Sequence, residues 1–192
     1  MKINKTFTVV SLLIVTTLFS FKNANDIKGW FLAGSATKKY EIGVTTDSAR
    51  KGKVGYLKST EKKIDNQFGT IMQNFIPEEY LGKRVKLTAF IKAENVDVWA
   101  GMWMRVDGSG GKTLSFDNMQ DRAIKGSKDW KEYEIILDVP KEAINLAYGV
   151  LLSGTGKVFI DNFKFTVVES SIKSTTTAPI KATKPTNTSF DN

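Results

Sequence analysis

"RVKLTAFIKAENVDVWAGMWMRV" runs from Arg84 to Val106. In its first part Val85, Leu87, Ala89 and Ile91 alternate with Lys86, Thr88, Phe90 and Lys92. Successive side chains of a β-strand point to opposite faces, so this period of two marks a strand with one face on a core. After AENVD (93–97) the alternation returns. Val98, Ala100, Met102, Met104 and Val106 then share one side, and Trp99, Gly101, Trp103 and Arg105 the other. The pattern predicts two strands, Arg84–Lys92 and Val98–Val106.

The same reading extends both ways along the chain. Short apolar or alternating runs predict strands at Gly29–Ser35, Tyr40–Thr46, Val54–Ser59, Phe68–Ile76, Thr113–Asn118, Trp130–Val139, Leu146–Leu152 and Val158–Val168. Turn-forming residues separate them, among them Asp65-Asn66, Gly82-Lys83, Asp107-Gly108, Pro140 and Gly154-Thr155-Gly156. Only PEEYLGK (77–83) suggests a helical turn. Nine or ten short strands without crossover helices predict an all-β fold, an antiparallel β-sandwich or jelly roll. With no long amphipathic helix, neither a helix-turn-helix nor a Rossmann unit fits.

The sandwich is expected over residues 26–168. Residues 1–25 have the build of a signal peptide: a basic start, MKINK, then an apolar run from Thr8 to Phe21. That run is short of the roughly 20 residues of a membrane-spanning helix. Export to the periplasm or the outside of the cell is expected, with no membrane span in the mature chain; the alternative is an uncleaved anchor. Residues 169–192, rich in Ser, Thr, Lys and Pro, read as a disordered tail that buries too little apolar surface to offset its ordering entropy.

The chain has no histidine and no cysteine. Ser-His-Asp and Cys-His catalysis, disulfides, thiolate zinc sites and imidazole metal ligands are therefore excluded. An exported protein without cysteine fits a bacterial envelope. The formal charge is +8, but beyond residue 25 only 25 basic residues face 20 acidic ones. The lysines are scattered among acids, a solvated surface and not a nucleic-acid stripe. GSGGKT (108–113) looks like the end of a phosphate loop, yet the first glycine of that motif would fall on Val106. The segment also joins two predicted strands and not a strand to a helix, so it reads as a hairpin loop.

The non-core side of Val98–Val106 carries the most chemistry. Trp99 and Trp103 would stack on the apolar face of a sugar or another flat ring, and Arg105 would supply fixed hydrogen bonds. Gly101 would leave room for the ligand between the rings. LSFDNMQDRAIKG (114–126) would form a rim carrying Asp117, Asn118 and Arg122. Gln73, unusual in mid-strand, would either reach the same groove or face solvent from an edge strand. Other readings stay open. Both faces of the sheet are covered and Arg105 pairs with a buried aspartate, or Asp117 and Arg122 form a structural salt bridge.

GKVFIDNFKF (156–165) has the form G-x-V-aromatic-I-D-N-apolar-x-F and resembles the last strand of galactose-binding-like jelly rolls. Carbohydrate-binding modules of bacterial polysaccharide-degrading enzymes belong to that group. Gly29-Trp30, FGTIMQNF (68–75), YLGKRVKLTAFIKAENV (80–96) and Asp129-Trp130-x-x-Tyr133 are similar to other parts of those modules, so the resemblance covers about 26–168. WMRVDG (103–108) with L-x-FDNM-x-DR-x-I-x-G (114–126) is similar to an uncharacterised bacterial module sometimes joined to transcriptional regulators.

The resemblance implies a non-catalytic module whose partner is a glycan; the scattered lysines predict no nucleic-acid partner. The alternatives are an envelope structural or protein-interaction module and a carboxylate-dependent glycan hydrolase using Asp117 and Asp121. No cofactor is expected. The resemblance implies one metal, a structural calcium ion at Asp161; the other reading of Asp161 is a hydrogen-bonded residue closing its strand. Ligand identity and oligomeric state are not written in the sequence.

Overall fold

A computed structural model describes residues 27–176. Nine strands follow one another: β1 (Phe31–Gly34), β2 (Tyr40–Thr46), β3 (Lys53–Ser59), β4 (Phe68–Phe75), β5 (Lys83–Gly108), β6 (Thr113–Asp117), β7 (Ile124–Val139), β8 (Ala143–Ser153) and β9 (Lys157–Val168). All pairings are antiparallel. A short 3-10 turn at Glu78–Tyr80 occupies the helical-turn signal. Among the described residues no helix is long and apolar enough to cross a membrane.

The two strands expected in Arg84–Val106 are one strand of 26 residues. AENVD contains neither glycine nor proline, and the irregularity it causes is absorbed without a break. Asn95 takes φ 52°, and the pairing with β7 slips between Ile91 and Ala93, Ala93 and Val96, and Val96 and Ala100. Such bulges bend and twist a strand. The bend carries β5 from one layer to the other. Its first half pairs with β9 (Arg84 to Glu94), its second half with β8 (Trp99 to Gly108), and its other edge with β7 and then β6. One layer is therefore β2-β3-β9-β5-β7 and the other β1-β4-β8-β5-β6.

The inward faces meet in one apolar core. Val85, Leu87 and Ala89 from the first half of β5, and Ala100, Met102, Met104 and Val106 from the second, are fully buried in it with Leu137, Val150, Leu152 and Val158. On the outer side of the β2–β9 layer, the loop after β2 clasps the sheet. Arg50 lies 4.1 Å above the ring of Phe90 and donates from Nε to Asp161 at 2.8 Å. Lys92 Nζ donates to Asp47 at 3.0 Å. The backbone N–H of Ala49, and then Lys92, hold the Asp47 carboxyl below the usual carboxylate range.

Past β9 the chain stays on the sandwich. The Arg84 guanidinium donates to the carbonyls of Ser170 and Ile172, and the backbone of Ile136 exchanges hydrogen bonds with Thr175. Residues 169–176, expected within a disordered tail, thus lie along β7. The rest of that tail and the signal-like segment 1–25 fall outside the described residues.

Candidate ligand-binding groove

The outer face of the β1-β4-β8-β5-β6 layer carries a groove of about 390 Å³. Strand period and register build it. The core claims the even residues of β5 from Ala100 to Val106, which turns Trp99, Gly101, Trp103 and Arg105 outward. Opposite them on β8 stand Ser153, Leu151, Gly149 and Ala147. Next on β4 come Phe68, Thr70 and Met72, and beyond β4 lies Ala33 of β1. Phe116 of β6 is paired with Arg105 and forms the other wall.

The two tryptophans have different roles. Trp103 is only 8% exposed and packs with Ala147 and Leu151. Its Nε1 donates to Thr70 Oγ1 at 2.8 Å, so the indole spans β8, where its cross-strand partner is Gly149. Thr70 in turn donates to the carbonyl of Val150 at 2.9 Å. Trp103 is thus the floor. Trp99, partly exposed, is the open aromatic surface, with Phe68 across from it. The space above Gly101 is filled already: a Cβ there would lie 2.8 Å from the carbonyl oxygen of Asn118 and 3.3 Å from the ring of Trp99. That glycine seats the chain's own groups and does not open a gap for a ligand between the rings.

Arg105 and Asn118 stand at the rim. Arg105 is held by Asp107 (Nε to Oδ1 2.8 Å, Nη2 to Oδ2 3.2 Å), which also accepts from Asn145 Nδ2 at 3.0 Å. Asp107 is a partly exposed partner, not a buried one. The remaining hydrogen-bonding capacity of the Arg105 guanidinium faces solvent.

Asp117, Arg122 and Gln73, expected at this groove, lie elsewhere. In β6 the period of two sends Phe116 outward and Asp117 inward, where it is fully buried. Asp117 accepts from Met119 N at 2.8 Å and from Arg122 Nη2 at 2.6 Å, a salt bridge that closes the loop after β6. Burial alone would lower the Arg122 pKa; pairing with Asp117 and Asp121 outweighs it and raises it. Gln73 neither reaches the groove nor faces solvent from an edge. It shares the inward face of β4 with Ile71 and accepts from the Tyr148 hydroxyl at 2.7 Å. Thr70, Met72 and Phe68 escaped the sequence reading although the apolar Ile71 already fixed their side of the strand.

Asp161 pairs with Arg50, so a guanidinium supplies the positive charge that a cation would bring. Among the described residues no cluster of three or more acidic side chains could hold a metal ion. The loop GSGGKT joins β5 to β6 with Gly110 and Gly111 at φ 66° and 75°, a strand-to-strand connection that lacks the helix N-terminus of a phosphate loop.

The layers and the bent central strand are those of a jelly-roll β-sandwich, the fold of the carbohydrate-binding modules that superimpose on it. The CBM22-1 xylan-binding domain of Paenibacillus barcinonensis Xyn10C superimposes with a TM-score of 0.52 at 16% identity, covering 75% of this chain and 88% of that one. TmCBM61, solved in complex with beta-1,4-galactotriose, gives 0.50 at 15% identity over 75% of this chain and 92% of that one. By sequence, the chain is 43% identical over 150 residues to an uncharacterized HTH-type transcriptional regulator of Bacillus subtilis (strain 168), YbfP. That match covers 78% of this chain and 51% of YbfP, so the chain spans about half the length of its curated relative. No protein-family model matches.

Proposed function

We propose that this protein is an exported, non-catalytic carbohydrate-binding module that takes a glycan segment in the groove on the β1-β4-β8-β5-β6 layer. The observation that carries this reading is the partly exposed indole of Trp99 beside Phe68 and Phe116, with Arg105 and Asn118 at the rim. A pyranose lays its C–H face on such a ring while its hydroxyls meet the rim groups. The fold neighbours that bind xylan or galactan oligosaccharide support a glycan as the ligand. The signal-like segment 1–25 supports export. A non-catalytic role is supported by the lining, which includes no carboxylate, whereas a glycosidase needs two roughly 5 to 9 Å apart. Asp117 is salt-bridged on the opposite face, and Asp121 pairs with the same Arg122.

A glycan array read by tryptophan fluorescence tests the reading. Trp99→Ala should weaken the best glycan by about tenfold or more, the scale of a lost aromatic platform, with the fold intact and the melting temperature lowered far less than by Trp103→Ala. A wild-type chain that responds to no glycan, but recovers a protein partner in pull-downs, would favour an interaction module.

We further propose that the fold needs no calcium at Asp161. EDTA should leave Tm unchanged, whereas Arg50→Ala should cost about 1 to 2 kcal/mol by removing the ion pair and the stacking on Phe90. A fall of several degrees in EDTA would reveal a bound ion.

A further inference from the structure

We propose a second ligand site on the flank of the sandwich, for a hexuronate: a pyranose bearing a carboxylate. A cleft of about 420 Å³ opens there between the inward faces of the two layers, within the size range of small-molecule sites. Ile71, Gln73 and Tyr148 form one wall, and Gly55 and Ile160 the other. It is separate from the groove, because β4 gives its odd residues Ile71 and Gln73 to the cleft and its even residues Thr70 and Met72 to the groove.

The lining mixes an apolar floor with groups that want partners. Trp30, packed edge-on to Tyr148 at 5.4 Å between centroids, gives the cleft an aromatic wall. Gln73 uses Oε1 to accept from the Tyr148 hydroxyl, which leaves its amide nitrogen to the cleft. The backbone of Gly29, at φ +81°, lies beside that nitrogen: a Cβ on Gly29 would come within 3.1 Å of it. Asn162, at φ 53°, adds a second amide. Lys53 and Asn162 stand exposed at the mouth of the cleft, and among the described residues neither side chain has an ion-pair or hydrogen-bond partner. The one acid in the lining, Asp161, is neutralised by Arg50 at 2.8 Å. The cleft therefore offers amides and one uncompensated ammonium over an apolar floor. A neutral sugar gains nothing from the charge of Lys53, and a fatty acid gains nothing from the amides; a uronate meets all three, its carboxylate through a charge-assisted hydrogen bond.

Calorimetric titration of the full chain with D-galacturonate, and with D-galactose as the neutral probe, tests the site. Galacturonate should bind saturably, and galactose roughly tenfold more weakly, the worth of a hydrogen bond to a charged group. Lys53→Met should bring galacturonate down to the galactose level, and Val44→Trp, at the exposed edge of the cleft, should block both sugars. Equal affinity for the two sugars, or no galacturonate binding at all, would overturn the proposal. So would galacturonate binding unchanged in Lys53→Met and lost in Trp99→Ala, which would place the ligand in the groove.

Discussion

Replacing Trp103 by alanine should cost about 3 to 5 kcal/mol of folding stability, measured by urea denaturation. The ring is nearly sealed, packs on Ala147 and Leu151, and spans β8 to reach Thr70. Truncation removes that packing and leaves a void that the rigid sheet beneath cannot close. Trp103→Phe separates the contributions. It keeps most of the apolar contact and loses the N–H, so it should cost clearly less, with the hydrogen bond itself worth about 1 kcal/mol. A Trp103→Ala variant as stable as the wild type would contradict the packing described. The same reasoning makes Trp99, not Trp103, the residue with which to probe binding, because loss of glycan affinity in Trp103→Ala would not be separable from loss of fold.

The second large effect is expected at the loop after β6. Arg122→Met strands the Asp117 carboxylate in the interior, with the Met119 N–H as its remaining partner. An uncompensated buried charge costs about 3 to 5 kcal/mol. Asp117→Asn should cost less, because the Arg122 side chain is 33% exposed and keeps Asp121. The double variant should recover part of the loss, a coupling of about 1 to 3 kcal/mol in a double-mutant cycle. Additive losses would mean that the pair does not hold the loop.

Alternation along Arg84–Val106 is a local property, and it was enough to assign the faces of both halves of β5 and to turn Trp99 and Trp103 to the same side. It could not say that the halves are one strand. Whether AENVD breaks the strand or bulges depends on partners from β7, β8 and β9, far away in sequence. The depth of Trp103 was illegible for the same reason, since it depends on Thr70 two strands away. Gln73 was readable: it lies two residues from apolar Ile71, and the period of two places both on the inward side of β4. Asp117 was not, because in TLSFD the apolar Leu114 and Phe116 alternate with it, and the structure turns Phe116 away from the core and Asp117 into it. The Arg50–Asp161 pair joins positions 111 apart, which no local pattern reports.

Because β5 is common to both layers, neither layer is a unit that could be inherited, lost or exchanged without the other. Recombination between relatives would have to move the whole sandwich as a block. Adaptation to a new ligand is then left to point changes among outward side chains and to the length of hairpins such as Ser109–Gly111, where the core has no stake.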